Sequence, residues 1–165
     1  MDPKDFLTLA ERLVIEGTKT ANLRTATSRA NYATHHVGAH VLKQLNLTVP
    51  RGPQAHQEVA GLLQNSGDED IKAIGTGLQD LYGARRRADY ELGNQEPEKL
   101  KTVRVHVAHA RQMIASLETC LAEPKRSKVG AAIRSWDQQR KTAISSAARK
   151  PWTEQLTVPP FTAMA

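Results

Sequence analysis

An all-α bundle of four to five up-and-down helices, followed by a basic C-terminal helix and tail, is the fold this sequence predicts. Three observations carry it. Apolar residues recur in steps of three or four along each long segment, the signature of one buried helical face. No segment alternates apolar and polar residues at period two between turn signals, as a half-buried strand would. Prolines and glycines cluster between the periodic segments, notably in Pro50-Arg51-Gly52-Pro53, where they break helices.

Asp2-Pro3 opens a first helix with a capping residue and a proline suited to a helix start. Phe6, Leu9 and Leu13 form its stripe, and Gly17 stops it. A longer helix is expected over about residues 20–46, with Leu23, Ala26, Ala30, Ala33, Val37, Val41 and Leu45 in register. A short helix carrying His56, Val59, Leu62 and Leu63 follows the proline break and ends near Ser66-Gly67. Asp68-Glu69-Asp70 then places three acids at a helix start, where the dipole favours them. Ile71, Ile74, Leu78, Leu81 and Tyr82 continue that helix towards a stop at Gly93. Gly75, Gly77 and Gly83 each weaken it by roughly 1 kcal/mol relative to alanine, yet the period survives. The cleanest stripe is Leu100, Val103, Val107, Ala110, Ile114, Leu117 and Leu121, ended by Pro124. Val129, Ile133 and Trp136 support one more helix to about Ala148. Residues 151–165 are expected to be extended, and ordered only on binding.

The 165 residues, 39% hydrophobic and 4% aromatic, suffice for one domain of ordinary size and a tail. Composition shifts at Pro124, so residues 1–124 are expected to form the bundle and 125–165 a basic extension. Charge follows the same division. Residues 1–124 hold 15 Lys/Arg and 15 Asp/Glu, whereas residues 125–165 hold 8 and 2 and so carry the whole net +6. Such an arm suits RNA or an acidic partner. The single cysteine, Cys120, excludes an internal disulfide framework and reads as a core thiol beside Leu117 and Leu121. No apolar run nears the roughly 18 residues of a membrane span. Met1 to Asp5 lacks the cationic-then-apolar order of a secretory signal. A cytoplasmic protein without a membrane partner is expected. No cofactor is expected either, because Gly75, Gly77 and Gly83 lack the lysine and strand of a phosphate-cradling loop.

The second helix holds the most informative polar row. Arg29, Tyr32, His36 and His40 stand at i, i+3, i+7 and i+11 beside the apolar stripe. Residues seven apart return to nearly one face, about 10 Å along the axis at roughly 1.5 Å per residue. A guanidinium holds phosphate bidentately and an imidazole moves protons near neutral pH. Two antiparallel copies across a dimer axis would bring each arginine to the other copy's histidine. The alternative is a row of helix–helix contacts, with Tyr32 and the histidines half-buried and satisfied. Arg85 and Asp89 can pair on one helix face, or Asp89 can reach Arg29 on a neighbouring helix. Arg86 and Arg87 extend a basic run that suits nucleic acid. Arg104 and His109 form a second arginine–histidine pair, less suited because about 140° of rotation separates them. His36 and His40 have the spacing of a helical zinc pair, with His56 as a third candidate. No cysteine or His-Glu-x-x-His arrangement supports a metal, and none is expected.

Three motifs occur in a telling order: Ser28-Arg29-Ala30-Asn31-Tyr32-Ala33-Thr34-His35-His36, then Gln54-Ala55-His56, then Leu81-Tyr82 through Arg85 to Ala88-Asp89-Tyr90. In this the chain resembles the HEPN superfamily, the higher-eukaryote and prokaryote nucleotide-binding helical domains, and within it the small bacterial stand-alone type. The likeness spans about residues 5–122. It implies an up-and-down bundle that dimerises, and a metal-independent endoribonuclease using an Arg-x4–6-His motif at a composite dimer cleft. Arg29 and His36, with six residues between them, fit that spacing. His36 would then assist attack by an RNA 2′-hydroxyl and Arg29 would stabilise the phosphorane. Tyr32, His40, His56, Arg85, Asp89 and Tyr90 would support them. The implied partners are RNA, a second copy of the chain, and a nucleotidyltransferase antitoxin or a larger defence complex, in a toxin or phage-defence role. Ala30 stands where the superfamily's active motif carries a polar residue, so a module that binds without cleaving is the alternative. Arg134, Arg140 and Lys141 of the extension are expected to add nucleic-acid contacts.

Overall fold

The computed structural model describes residues 1–17, 19–52 and 54–148. The extended segment expected over 151–165, like Pro53 of the expected break, lies outside the described residues. Among those residues the chain is an all-α bundle without strands: α1 (Asp5–Ile15), α2 (Thr20–Gln44), α3 (Ala55–Gln64), α4 (Glu69–Tyr90), α5 (Leu100–Thr119) and α6 (Lys125–Ala148), with a 3-10 turn at Glu96–Glu98. No described helix is long and apolar enough to cross a membrane.

α2 is the axis, with α1, α4 and α5 packed on it, α3 on α4, and α6 against α3. Its stripe is small: Ala26, Ala30 and Ala33 lose all exposure. Short side chains at the contact let neighbouring helices come close. Leu42, Leu62, Leu63, Ile71, Val103 and Leu117 fill the rest of the core, each contributing about 1.5–3 kcal/mol by burial. The α4 glycines have their reason in packing. A Cβ on Gly75 would stand 2.7 Å from the Ala60 carbonyl of α3, and one on Gly77 would stand 2.8 Å from Met113 Sδ of α5. Close approach outweighs helix propensity here. Asp68 starts α4, its carboxylate accepting from the Ile71 N–H at 3.2 Å.

α2 stops in a left-handed cap. Asn46 takes φ 61°, and the Leu47 N–H donates back to the Leu42 carbonyl at 3.0 Å. This turns the chain into the connection, residues 47–52, that leads to α3.

Composition changes at Pro124, but packing does not. Val129 and Ile133 are fully buried in the same core, with Trp136 packed against it. Arg126 and Arg134 donate to the Gln44 and Leu45 carbonyls at 3.1 and 2.8 Å, giving the end of α2 partners it would otherwise lack. Lys125 pairs with Asp68 and Asp70 at 3.0 and 3.3 Å. Arg140 pairs with Glu58 and Asp137 at 2.8 Å each. The first half of α6 is therefore a helix of the bundle, and the division expected at 124/125 is not a division of the core.

Candidate functional site

The polar row of α2 meets three other helices around one ring. Tyr32 is half-buried at the centre. Phe6 of α1 lies 5.9 Å from it between centroids, and His56 of α3 stands edge-on at 6.0 Å. His36, the next turn along α2, stacks on Tyr32 at 6.0 Å and on Phe6 at 5.9 Å. Two guanidiniums cover the same ring, Arg29 at 5.2 Å and Arg85 of α4 at 4.8 Å from its centroid. A ring face attracts the cation and leaves the in-plane N–H groups unused. Among the described residues, only the rings of Phe6 and Tyr32 engage the Arg29 guanidinium.

Arg85 is held more firmly. Its Nε donates to Asp89 at 3.0 Å, and Asp89 also accepts from Ser28 Oγ at 3.3 Å. Of the two arginines considered for Asp89, Arg85 is the one it meets. Helix spacing accounts for this much: 29, 32 and 36 share a face, as do 85 and 89.

Spacing leaves His35 off the polar row of α2 and assigns Tyr82 to the apolar series of α4, so neither is among the expected site residues. His35 is buried and stacked on His56 at 3.9 Å, and His56 stacks in turn on Tyr82 at 4.9 Å. The signal was the adjacent pair His35-His36 beside an apolar stripe. Neighbours about 100° apart on a helix point different ways, so one of the two can turn towards the stripe while the other faces outward. Tyr82 stood within the apolar series of α4 and looked like core.

Burial pushes the His35 imidazole down to about 3, with His56 and His36 adding to it. Burial, and then Lys43, lowers His36; burial, and then Arg85 and His36, lowers His56. All three rings are neutral at pH 7. His36 is the exposed one, so solvent or substrate reaches it first.

Other expected residues lie elsewhere. His40 sits beside Asp2, Lys4 and Glu118 at another surface. Tyr90 is 70% exposed, and Arg86 and Arg87 are exposed. Burial, and then Arg87, lowers His106 on α5, which places Arg87 towards that helix. Arg104 and His109 do not meet. Arg104 flanks Glu11 and Ile15 of α1, whereas His109 packs on Gly77 of α4, its ring 2.9 Å from where a Cβ would stand. Arg134 and Arg140 are engaged with the Leu45 carbonyl and with Glu58 of α3, which docks α6, whereas Lys141 pairs with Asp137 within α6 itself. Cys120 is a core thiol, fully buried and pushed up to about 11 by burial. Among the described residues no group of three or more His, Cys, Asp or Glu side chains is placed to hold a metal ion.

The face thus combines ring surfaces for bases, open guanidinium donors for phosphate and a neutral, exposed imidazole. No protein-family model, no curated protein and no solved structure matches the chain, and the chemistry of this face stands on its own residues.

Proposed function

We propose that the chain is a metal-independent endoribonuclease of the HEPN kind, working as a homodimer in a toxin or phage-defence setting. The observation that carries this is one ring, Tyr32, shared by the neutral His36 and by the guanidiniums of Arg29 and Arg85. His36 accepts the proton of an RNA 2′-hydroxyl. The freed oxygen attacks the adjacent phosphorus while Arg29 and Arg85 neutralise the phosphorane oxygens. The P–O5′ bond breaks, and the leaving oxygen takes a proton from water. The products are a 2′,3′-cyclic phosphate and a 5′-hydroxyl end. Tyr32 lies between Arg29 and His36, so a second copy that sets its arginine opposite this histidine completes the cleft.

That intervening ring also favours a second reading. A module that binds RNA, or a partner protein such as a nucleotidyltransferase antitoxin, needs the rings and cations but not a close arginine–histidine pair. The test is RNA cleavage in EDTA. His36→Ala is expected to lower it by about 10²–10⁴-fold. Equal rates for wild type and variant remove His36 from the site, and salt-sensitive RNA binding without cleavage selects the second reading.

A further inference from the structure

The end of α1 and the first half of α5 leave an apolar surface uncovered among the described residues. Ile15 is 85% exposed and Val105 60%. Two clefts of about 420 and 510 Å³ run beside them, one between α1 and α5 and one along α5, and both reach Arg104 and Ala108. Val14, Ile15, Leu100, Val105 and Ala108 supply their apolar lining. Exposed apolar side chains gathered within a polar rim mark a surface that another protein segment covers. Phe6 of the ring group also stands on α1, but Ile15 lies nine residues further on, about 13 Å along the axis. None of the lining residues belongs to the ring group.

The rim is cationic. Lys101 and Arg104 are exposed, and neither engages an acceptor among the described residues. The acids nearby are already answered: Glu11 accepts from Arg111 Nη2 at 2.6 Å, and Glu16 pairs with Arg12 at 3.7 Å. The first turn of α5 carries no acid, so Lys101 stands there against the helix dipole, and an anion brought from outside would offset that cost. Lys101, Val105, Ala108 and Gln112 stand at i, i+4, i+7 and i+11, a single ridge about 16 Å long. A ridge beside a groove between two helices is what a third helix packs against.

We propose that this face docks an acidic amphipathic helix of a partner protein. The helix sets its apolar side chains into the two clefts over Ile15 and Val105, and its carboxylates meet Lys101 and Arg104. Charge complementarity selects this occupant, because two unanswered cations on an apolar floor suit carboxylates that flank apolar residues. A nucleic acid uses the cations and leaves Ile15 and Val105 wet. A second copy of the same face brings the same two cations and no free carboxylate. The site lies apart from the ring group and does not depend on RNA cleavage there.

The probe is a fluorescent amphipathic peptide of about four turns, with leucines at helical spacing and glutamates on the flanks. It is titrated by anisotropy into the full chain beside two counterparts, one with lysine for glutamate and one of the same composition in shuffled order. The glutamate peptide is expected to bind about tenfold or more tightly than either. Ile15→Ser with Val105→Ser, at exposed positions whose fold circular dichroism checks, should weaken it about fivefold or more. Lys101→Glu with Arg104→Glu should invert the preference between the glutamate and lysine peptides. Equal affinity for all three peptides, or binding untouched by the serine variant, overturns the site. Self-association that light scattering finds in the wild type and not in the serine variant gives the face to a second copy and overturns the acidic partner. Single-stranded RNA that loses about fivefold or more in the charge-reversed variant, with no peptide preferred, gives the face to nucleic acid and overturns it too.

Discussion

Arg24 and Arg29 sit on one helix and have opposite fates. Arg24 is 9% exposed, with Nε and Nη2 meeting Glu98 at 2.8 and 2.7 Å. Its remaining donors reach the carbonyls of Ala88, Leu92 and Asn94 at 2.9, 3.2 and 2.6 Å. Those carbonyls belong to the last turn of α4 and the segment after it, where backbone acceptors lack helical partners. Arg29 rests on two rings and engages no acceptor among the described residues. One arginine is consumed by the fold, and the other keeps its donors for something outside it.

The largest expected effect tests that contrast directly. Arg24→Ala strands Glu98 and several carbonyls, and should lower stability by about 3 kcal/mol. Arg29→Ala gives up only ring contacts, worth about 1 kcal/mol or less. Urea unfolding of both variants measures the difference, and similar losses would break the comparison.

Arg24 also shows where the sequence stops being legible. Helix geometry sets neighbours along one element, so the Arg29, Tyr32, His36 row and the Arg85–Asp89 pair could be read from spacing. Nothing local says that Arg24 meets Glu98, that Phe6 and His56 close on Tyr32, or that His35 faces inward onto His56. Those contacts join different helices. The same limit explains α6. Its stripe of Val129, Ile133 and Trp136 was visible, but its charge suggested a free arm. The carboxylates that hold it, Glu58, Asp68 and Asp70, lie far back in the chain. The glycines of α4 misled in the other direction, because propensity counts what they cost the helix and not what close packing on α3 and α5 returns.

A middle-sized effect comes from the buried histidine of the same helix, α2, and shows in the pH dependence of stability. His35 falls from the ordinary 6.5 to about 3 in the folded chain. The unfolded chain therefore binds a proton below pH 6.5 that the folded chain refuses. Stability is full above 6.5 and is lost as pH falls towards about 3. By pH 5 the loss from His35 alone should be about 1–2 kcal/mol, and His36, His56 and His106 act in the same direction. Denaturant unfolding at pH 7, 6 and 5 should show the decline, and His35→Phe should flatten it. A slope unchanged in that variant would remove His35 as a source of the acid sensitivity.

The smallest effect concerns Arg85, which shares something with each of the other two arginines. Like Arg29 it lies over Tyr32, and like Arg24 it has a carboxylate partner, Asp89 at 3.0 Å. The two side chains are 14% and 28% exposed, so the pair is partly shielded from solvent and its worth to the fold is about 1 kcal/mol. Asp89→Asn keeps an acceptor oxygen for Arg85 Nε and Ser28 Oγ while removing the negative charge. Stability should hardly move. RNA affinity at low salt should rise about two- to threefold, because Arg85 then faces phosphate without a competing carboxylate, and the gain should fade as salt screens it. A loss of stability with unmoved affinity would put Arg85 with Arg24, as part of the scaffold. A fall in affinity would mean that Asp89 aims the guanidinium, and that aim outweighs the charge it cancels.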